Sequence, residues 1–232
     1  MAERVASEVA RFRGLVDGLI DGLMHGEECP GDEDEDACDC GLTKMRARCG
    51  RCAVIEVICG PMFSGKTEEL IRRMRRALIG KQRVQVFKPS IDRRYHETAI
   101  TSHSAQTFAA QAVRDVAALE LAIDSVAQVV GVDEAQFFGV GLVPLVQHLA
   151  DRGVRVVIAG LDQDYRGQPF EPMPQLLAIA EHITKLSAVC ARCGGAATRS
   201  HRIAGGHERV QVGAAEAYEA RCRACAGEVL GG

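Results

Sequence analysis

Residues 60 to 67 read GPMFSGKT, a G-x-x-x-x-G-K-[ST] run whose residue types describe a phosphate-binding loop. Gly60 and Gly65 let the backbone curl, so that successive N–H groups of a loop running through Pro61, Met62, Phe63 and Ser64 turn inward at phosphate oxygens. The N-terminus of a following helix adds the positive end of its dipole. Lys66 can reach the β/γ-phosphates, and Thr67 offers a hydroxyl to Mg²⁺. This set implies a nucleoside triphosphate as one ligand and leaves open what receives the phosphate.

A second acidic constellation lies downstream in VVGVDEAQFF, where Asp133, Glu134, Ala135 and Gln136 follow an apolar run in the manner of a Walker B element. A carboxylate at the end of a buried strand, here Asp133, can orient magnesium and its waters opposite Thr67. Glu134 points differently and is the candidate proton acceptor. An ATPase would use it on water, a kinase on a substrate alcohol.

A third constellation is Cys190, Cys193, Cys222 and Cys225, spaced C-x-x-C…C-x-x-C, which predicts structural Zn²⁺ held by four thiolates. Four thiolates leave no ligand position for a reactive water. The 28 residues between the pairs are rich in small side chains and are expected to form a loop pinned at both ends, with His201 and His207 as ordinary polar loop residues. Cys38, Cys40, Cys49 and Cys52 could form a second thiolate site, but C-x-C followed by C-x-x-C also suits a cysteine-rich linker.

The elements that must position these groups are legible as alternating strand and helix. Near-continuous apolar runs at 54–59, 84–87, 126–132 and 154–161 read as strands buried on both faces of a parallel sheet. Residues 67–79 read as a helix burying Leu70, Ile71, Met74 and Leu78, with Glu68 and Glu69 in the first turn and arginines later. The expected fold class is α/β: a three-layer P-loop NTPase (RecA-like) parallel sheet with a small zinc-binding lobe. Nucleotide would bind at the carboxyl ends of the strands. The expected organisation is an N-terminal extension over 1–52, a core over 53–187 and the zinc-binding lobe over 188–232.

Composition bounds the function. The 232 residues carry a net charge of −3, with 7 basic and 12 acidic side chains in residues 1–52 and near balance beyond. Neither part is a basic nucleic-acid platform, so a small-molecule nucleotide fits better than a polymer. No apolar run reaches the ~18 residues of a membrane span, and charged residues occupy the place of a secretory signal's apolar core. The expected location is therefore the cytoplasm, with neither nucleic acid nor membrane as partner. Val5, Val9, Phe12, Val16, Leu19 and Leu23 form a heptad-like seam interrupted by Gly14, Gly18 and Gly22. Such a helix needs a surface or a docking partner to persist, and without one it reads as a frayed solvent helix. The acidic stretch at 26–40 reads as a solvated linker.

Five ordered blocks now carry a family resemblance: GPMFSGKTEELIRR, KPSIDRRY, VDEAQFF, GLDQDYRGQPFEPMPQLLAIAEHITKLSAVCARCGGAATRS and VGAAEAYEARCRAC. Together they resemble the cellular-type (type II) thymidine kinases over residues 54–226. The resemblance implies transfer of the γ-phosphoryl group of MgATP to the 5′-hydroxyl of thymidine, a zinc lobe and a homotetramer. It implies Glu134 as the general base and Asp133 in the magnesium site. It also places Asp92 and Arg94 near the phosphates, and Met62, Leu161 and Tyr165 around the thymine ring. Val210, Gln211, Val212 and Gly213 would bond the base through main-chain groups, with Tyr218 beside it. The chain departs from the family pattern at Tyr165, usually Phe, at Ala105 and Ala214, usually Gly, and at Ala226, usually a bulkier residue.

Overall fold

A computed structural model describes residues 53–90, 99–101, 107–204 and 217–227, all within one compact unit spanning Arg46–Gly232. Its centre is a six-stranded sheet. The first strand, β1 (Ile55–Cys59), runs into helix α1 (Lys66–Ile79), which returns to β2 (Val84–Pro89). A short hairpin follows, β3 (Ala99–Thr101) against β4 (Thr107–Ala109), and then β5 (Gln111–Val113) and α2 (Val116–Ala122). The next units are β6 (Val129–Val132) with α3 (Leu142–Asp151), β7 (Arg155–Gly160) with α4 (Met173–Ile179), and the edge strand β8 (His182–Lys185). The sheet order is β5-β2-β6-β7-β1-β8, and every pairing is parallel. This is the α/β P-loop architecture expected, with β7 lying between the strand that feeds the phosphate loop and the strand that ends in carboxylates.

The apolar runs are continuous because successive residues feed two different cores. On β7, Val156 and Ile158 face the layer of α2, α3 and α4, while Val157 and Ala159 face α1. On β1, Ile55, Val57 and Cys59 take the first face and Ile58 the second. Alternation persists, but both sides are apolar.

One charge interrupts that pattern. Glu56 on β1 is buried beneath α1, where Arg73 and Arg155 each contact it at 2.6 Å. Burial alone would raise its carboxyl, but Arg155 and then Arg73 outweigh that and hold it below the usual value. Arg73 also bonds Glu69 at 2.8 Å and Thr184 at 2.7 Å, so one guanidinium ties α1 to β1 and β8.

Helix α1 buries Leu70, Ile71 and Met74 as the sequence pattern requires, but its fourth inward position is Ala77. Leu78, expected in the core, is 50 % exposed. The 3.6-residue turn carries position i+8 past the sheet, whereas i+7 still faces it.

Beyond the sheet, β9 (Ala188–Val189) pairs with β10 (Ala196–Ala197), and β11 (Arg199–Arg202) pairs with β12 (Tyr218–Arg221), both antiparallel. A short helix, α5 (Arg223–Gly227), follows. The stretch between the cysteine pairs, expected as a loop, is therefore strand over 196–197, 199–202 and 218–221, and His201 lies half-buried on β11. No described helix is long and apolar enough to cross a membrane.

Candidate active site

The loop after β1 closes on itself. Gly60 has φ 147°, and a Cβ there would lie 2.5 Å from the Leu186 carbonyl oxygen, so both conformation and space demand glycine. Gly65, at φ 82°, turns the chain into α1 and has no side chain to occupy the first free N–H groups of that helix. Those donors remain available to an anion. The Ser64 hydroxyl and the Lys66 ammonium both donate to the Pro61 carbonyl at 2.8 Å, folding the loop around Lys66. Burial pulls the Lys66 ammonium below its usual value, opposed by the charges of Glu134, Asp133 and Asp162.

Opposite the loop, Asp133 follows β6 and is buried, with the Thr67 hydroxyl 3.1 Å from one carboxylate oxygen and 3.4 Å from the other. Burial, and then the neighbouring Glu134 charge, push the Asp133 carboxyl up to about 7. A divalent cation between Asp133 and Thr67 would favour the ionised carboxylate, so the donor set of one hydroxyl and one carboxylate fits Mg²⁺.

Glu134 adopts φ 52°, a left-handed conformation that costs a non-glycine residue about 1–3 kcal/mol and persists only when the surroundings fix it. The Glu134 N–H donates to the Asp133 carboxylate at 3.1 Å and the Glu134 carbonyl accepts from the Phe137 N–H at 3.1 Å, in a 3₁₀ turn over Ala135–Phe137 whose central residue is Gln136. The Gln136 amide nitrogen donates to Glu134 at 2.5 Å, while its oxygen accepts from the Leu161 N–H at 3.0 Å. Gly160 permits this approach, because a Cβ there would fall 2.9 Å from the same Gln136 oxygen. The end of β7 thus orients the candidate base at the end of β6.

The wall beyond Leu161 holds Tyr165, over whose ring the Arg202 guanidinium stacks at 3.8 Å. Arg202 also donates to the Tyr218 hydroxyl at 2.6 and 3.1 Å, so strands β11 and β12 and the segment after β7 meet around one cation. Arg199 reinforces the junction by donating to the Gly167 carbonyl at 3.2 Å. Tyr165, the departure from the family's usual Phe, finds a partner for its hydroxyl in Arg166 at 2.8 Å.

Cys190, Cys193, Cys222 and Cys225 converge with all four sulfurs within 4.8 Å of one another. The Cys193–Cys222 separation is 3.7 Å. A tetrahedron with bonds of about 2.3 Å to zinc has edges of about 3.8 Å, so the cluster fits that ion. Backbone N–H groups of Cys222 and then Cys193 draw the Cys190 thiol down to about 6. Hydrogen bonds to Cys222 and then Cys193 push Cys225 up to about 12.

The structure therefore brings together Gly60 through Thr67, Asp133 through Gln136, Leu161, Tyr165 and Tyr218, along with the cysteine cluster. Asp92, Arg94, Val210, Gln211, Val212 and Gly213 lie outside the described residues, as do Ala105, His207, Ala214, the N-terminal extension and its Cys38, Cys40, Cys49 and Cys52. Sequence reasoning missed Ser200 and Arg202. The Ser200 hydroxyl oxygen accepts from the Met62 N–H at 3.0 Å. In the sequence both sit among small and polar residues between the cysteine pairs, and only the strand pairing reveals which way they face.

Sheet, phosphate loop and acidic strand end define a P-loop α/β protein. The thymidine kinase family model matches residues 53–226. A thymidine kinase of Rhodothermus sp. is 57 % identical over 171 residues, covering 74 % of this chain and 80 % of that protein. Those of Bdellovibrio bacteriovorus and Deinococcus deserti are each 55 % identical, covering 73 % of this chain and 83 % and 92 % of theirs. Among solved structures, domain III of the Thermotoga maritima replication initiation protein DnaA aligns at TM-score 0.36 and 14 % identity over 66 % of this chain and 65 % of that one, too distant to bear on function. The chain belongs to the thymidine kinase family.

Proposed function

We propose that the protein is an ATP-dependent thymidine kinase forming dTMP and ADP. The observation that carries this reading is the meeting of loop and strand end. Thr67 lies 3.1 Å from Asp133, and beside it Gln136 holds Glu134 at 2.5 Å.

In this reading the loop from Gly60 to Lys66 wraps the β- and γ-phosphates of ATP. Thr67 and Asp133 would hold Mg²⁺, which would supply neutralisation of the triphosphate charge. Glu134 accepts the proton of the thymidine 5′-hydroxyl as that oxygen attacks the γ-phosphorus and the bond to the ADP oxygen breaks. Met62, Leu161, Tyr165 and Tyr218 surround the base, which Val210 through Gly213 read through main-chain groups. Asp92 and Arg94 stand near the phosphates, with Arg94 offsetting charge on the transferred group. Cys190, Cys193, Cys222 and Cys225 would hold Zn²⁺ in a structural role, since a four-thiolate set leaves no ligand position for a reactive water.

The homotetramer is proposed from the family resemblance, and composition and patterning carry the other proposals: a cytoplasmic location and an organisation into an extension over 1–52, a core over 53–187 and a lobe over 188–232. The extension would dock a partner, and the protein would act on neither nucleic acid nor membrane. The exposed apolar residues Leu78 and Ile79 at the end of α1 and Ile183 on the edge strand are surface that assembly would cover.

The test is product formation from MgATP with thymidine, deoxyuridine, deoxycytidine or no acceptor in parallel. Thymidine monophosphate well above the other products is expected. Hydrolysis of ATP without any nucleoside monophosphate would replace this reading with that of an ATPase.

A further inference from the structure

The phosphate loop is not held by the sheet alone. Phe63, in the middle of the loop, has φ 65°, a conformation bulky side chains keep only when something outside the loop enforces it. Its side chain packs into the cysteine lobe, against the buried set Ala188, Cys190, Ala197 and Ala220, a cluster that Cys222 and Cys225 also flank. One residue earlier, the Met62 N–H donates to the Ser200 hydroxyl oxygen at 3.0 Å. Ser200 is buried on β11, directly opposite Ala220 of β12, so the two share one face of that ribbon. Strand β12 ends at Arg221, next to the ligand Cys222. A short path of contacts therefore joins the four sulfurs to two consecutive residues of the loop, one by packing and one by a hydrogen bond.

We propose that the four-cysteine lobe sets the shape of the phosphate loop, with Phe63 and Ser200 as positioning residues, so that metal occupancy and nucleotide affinity rise and fall together. This rests on reading the loop as the nucleotide site. Without metal the cysteine-bearing turns lose their common anchor, and the small residues around Phe63 bury too little apolar surface to hold it in place. The loop N–H groups then no longer converge. By linkage the coupling is reciprocal, and bound nucleotide tightens the hold on the metal by the same factor.

The experiment measures MgADP dissociation constants by calorimetry on the full chain, zinc-loaded and then stripped by chelator under a thiol reductant. Wild type is expected to lose roughly ten- to a hundredfold in affinity on stripping, the usual span for coupled sites. Zinc-loaded Phe63→Ala should show a comparable loss, with stripping adding less than about twofold, because its coupling is already broken. Phe63→Leu, which keeps an apolar wedge, should recover most of the affinity. Zinc-loaded Ser200→Ala should weaken MgADP by several-fold, about the value of one hydrogen bond, with the ATP KM rising more than kcat falls.

If stripping unfolds the chain, the reciprocal measurement decides on folded protein: zinc competition with a chromophoric chelator, with and without MgADP. Nucleotide should tighten zinc retention in wild type and leave it unchanged in Phe63→Ala. Equal MgADP affinity in loaded and stripped wild type, equal zinc affinity with and without MgADP, or losses from Phe63→Ala and stripping that simply multiply would each overturn the coupling alone. A loaded wild type that binds no MgADP would remove the nucleotide reading along with it.

Discussion

Along the central sheet Val57, Ile58, Val129, Val130, Val156, Val157 and Ile158 are fully buried, whereas the apolar cluster of the cysteine lobe consists of Ala188, Cys190, Ala197 and Ala220. Each buried Val or Ile contributes roughly 1.5–3 kcal/mol relative to exposure. An alanine offers only one methyl group, and a few of them cannot offset the conformational entropy of ordering four short strands and a helix of five residues. The sheet region stands on apolar area distributed over many residues, whereas the lobe gathers four thiolates that fit a metal at one point. Damage to the sheet should therefore be graded, while damage to the lobe should be all-or-none.

The largest effect expected is chemical and bypasses that contrast: Glu134→Gln should lower kcat by about 10²–10⁴-fold while MgATP binding and melting temperature stay near wild type. Substantial residual turnover in steady-state assays would remove the base assignment. Next, Cys193→Ser should release zinc, measurable as metal per chain, and abolish the ordered lobe while the far-ultraviolet signal of the sheet persists. Retained zinc would show that the four-cysteine set is not the site.

Within the sheet region, Leu70→Ala should cost about 2–5 kcal/mol by leaving a cavity, and Leu78→Ala less than about 0.5 kcal/mol because that side chain is half in water. Urea titrations giving equal losses for the two would contradict the observed face of α1. The smallest effect is electrostatic. Hydrogen bonds from Arg72, then Arg73, hold the Glu69 carboxyl down at about 2 against an ordinary value of 4.5. A depressed acid stabilises the fold above its unfolded value and loses that contribution as pH falls. Wild type should then lose about 1–2 kcal/mol between pH 4.5 and 2 that Glu69→Gln does not lose, and parallel curves for the two proteins would exclude the pairing.

How much of this the sequence revealed follows the same divide. The four central strands, α1, the phosphate loop and the DEAQ segment are legible because each is a local pattern. Burial on both faces leaves continuous apolar runs, and phosphate chemistry leaves fixed spacings. Strand β8 is not legible. His182–Lys185 pairs on one side only and is largely exposed, so neither an apolar run nor alternation marks it. Glu56 is equally silent, because its partners Arg73 and Arg155 lie 17 and 99 residues away. In the lobe the cysteine spacing announces a metal site, yet the roles of Ser200 and Arg202 depend on pairing across a turn in which no local period appears. Chemistry carried by contiguous residues can be read from one dimension, and chemistry assembled by strand pairing cannot.

The stacking of Arg202 between Tyr165 and Tyr218 gives the molecule a built-in optical gauge. The chain contains no tryptophan and only three tyrosines, of which these are two. Two of its three tyrosine emitters therefore stand at the wall of the proposed base pocket. A guanidinium lies on one ring and bonds the other hydroxyl, so a ligand that displaced it would change the surroundings of both emitters at once. Occupancy of the proposed pocket would then be expected to register in a cuvette without a label, a coupled enzyme or a mutation.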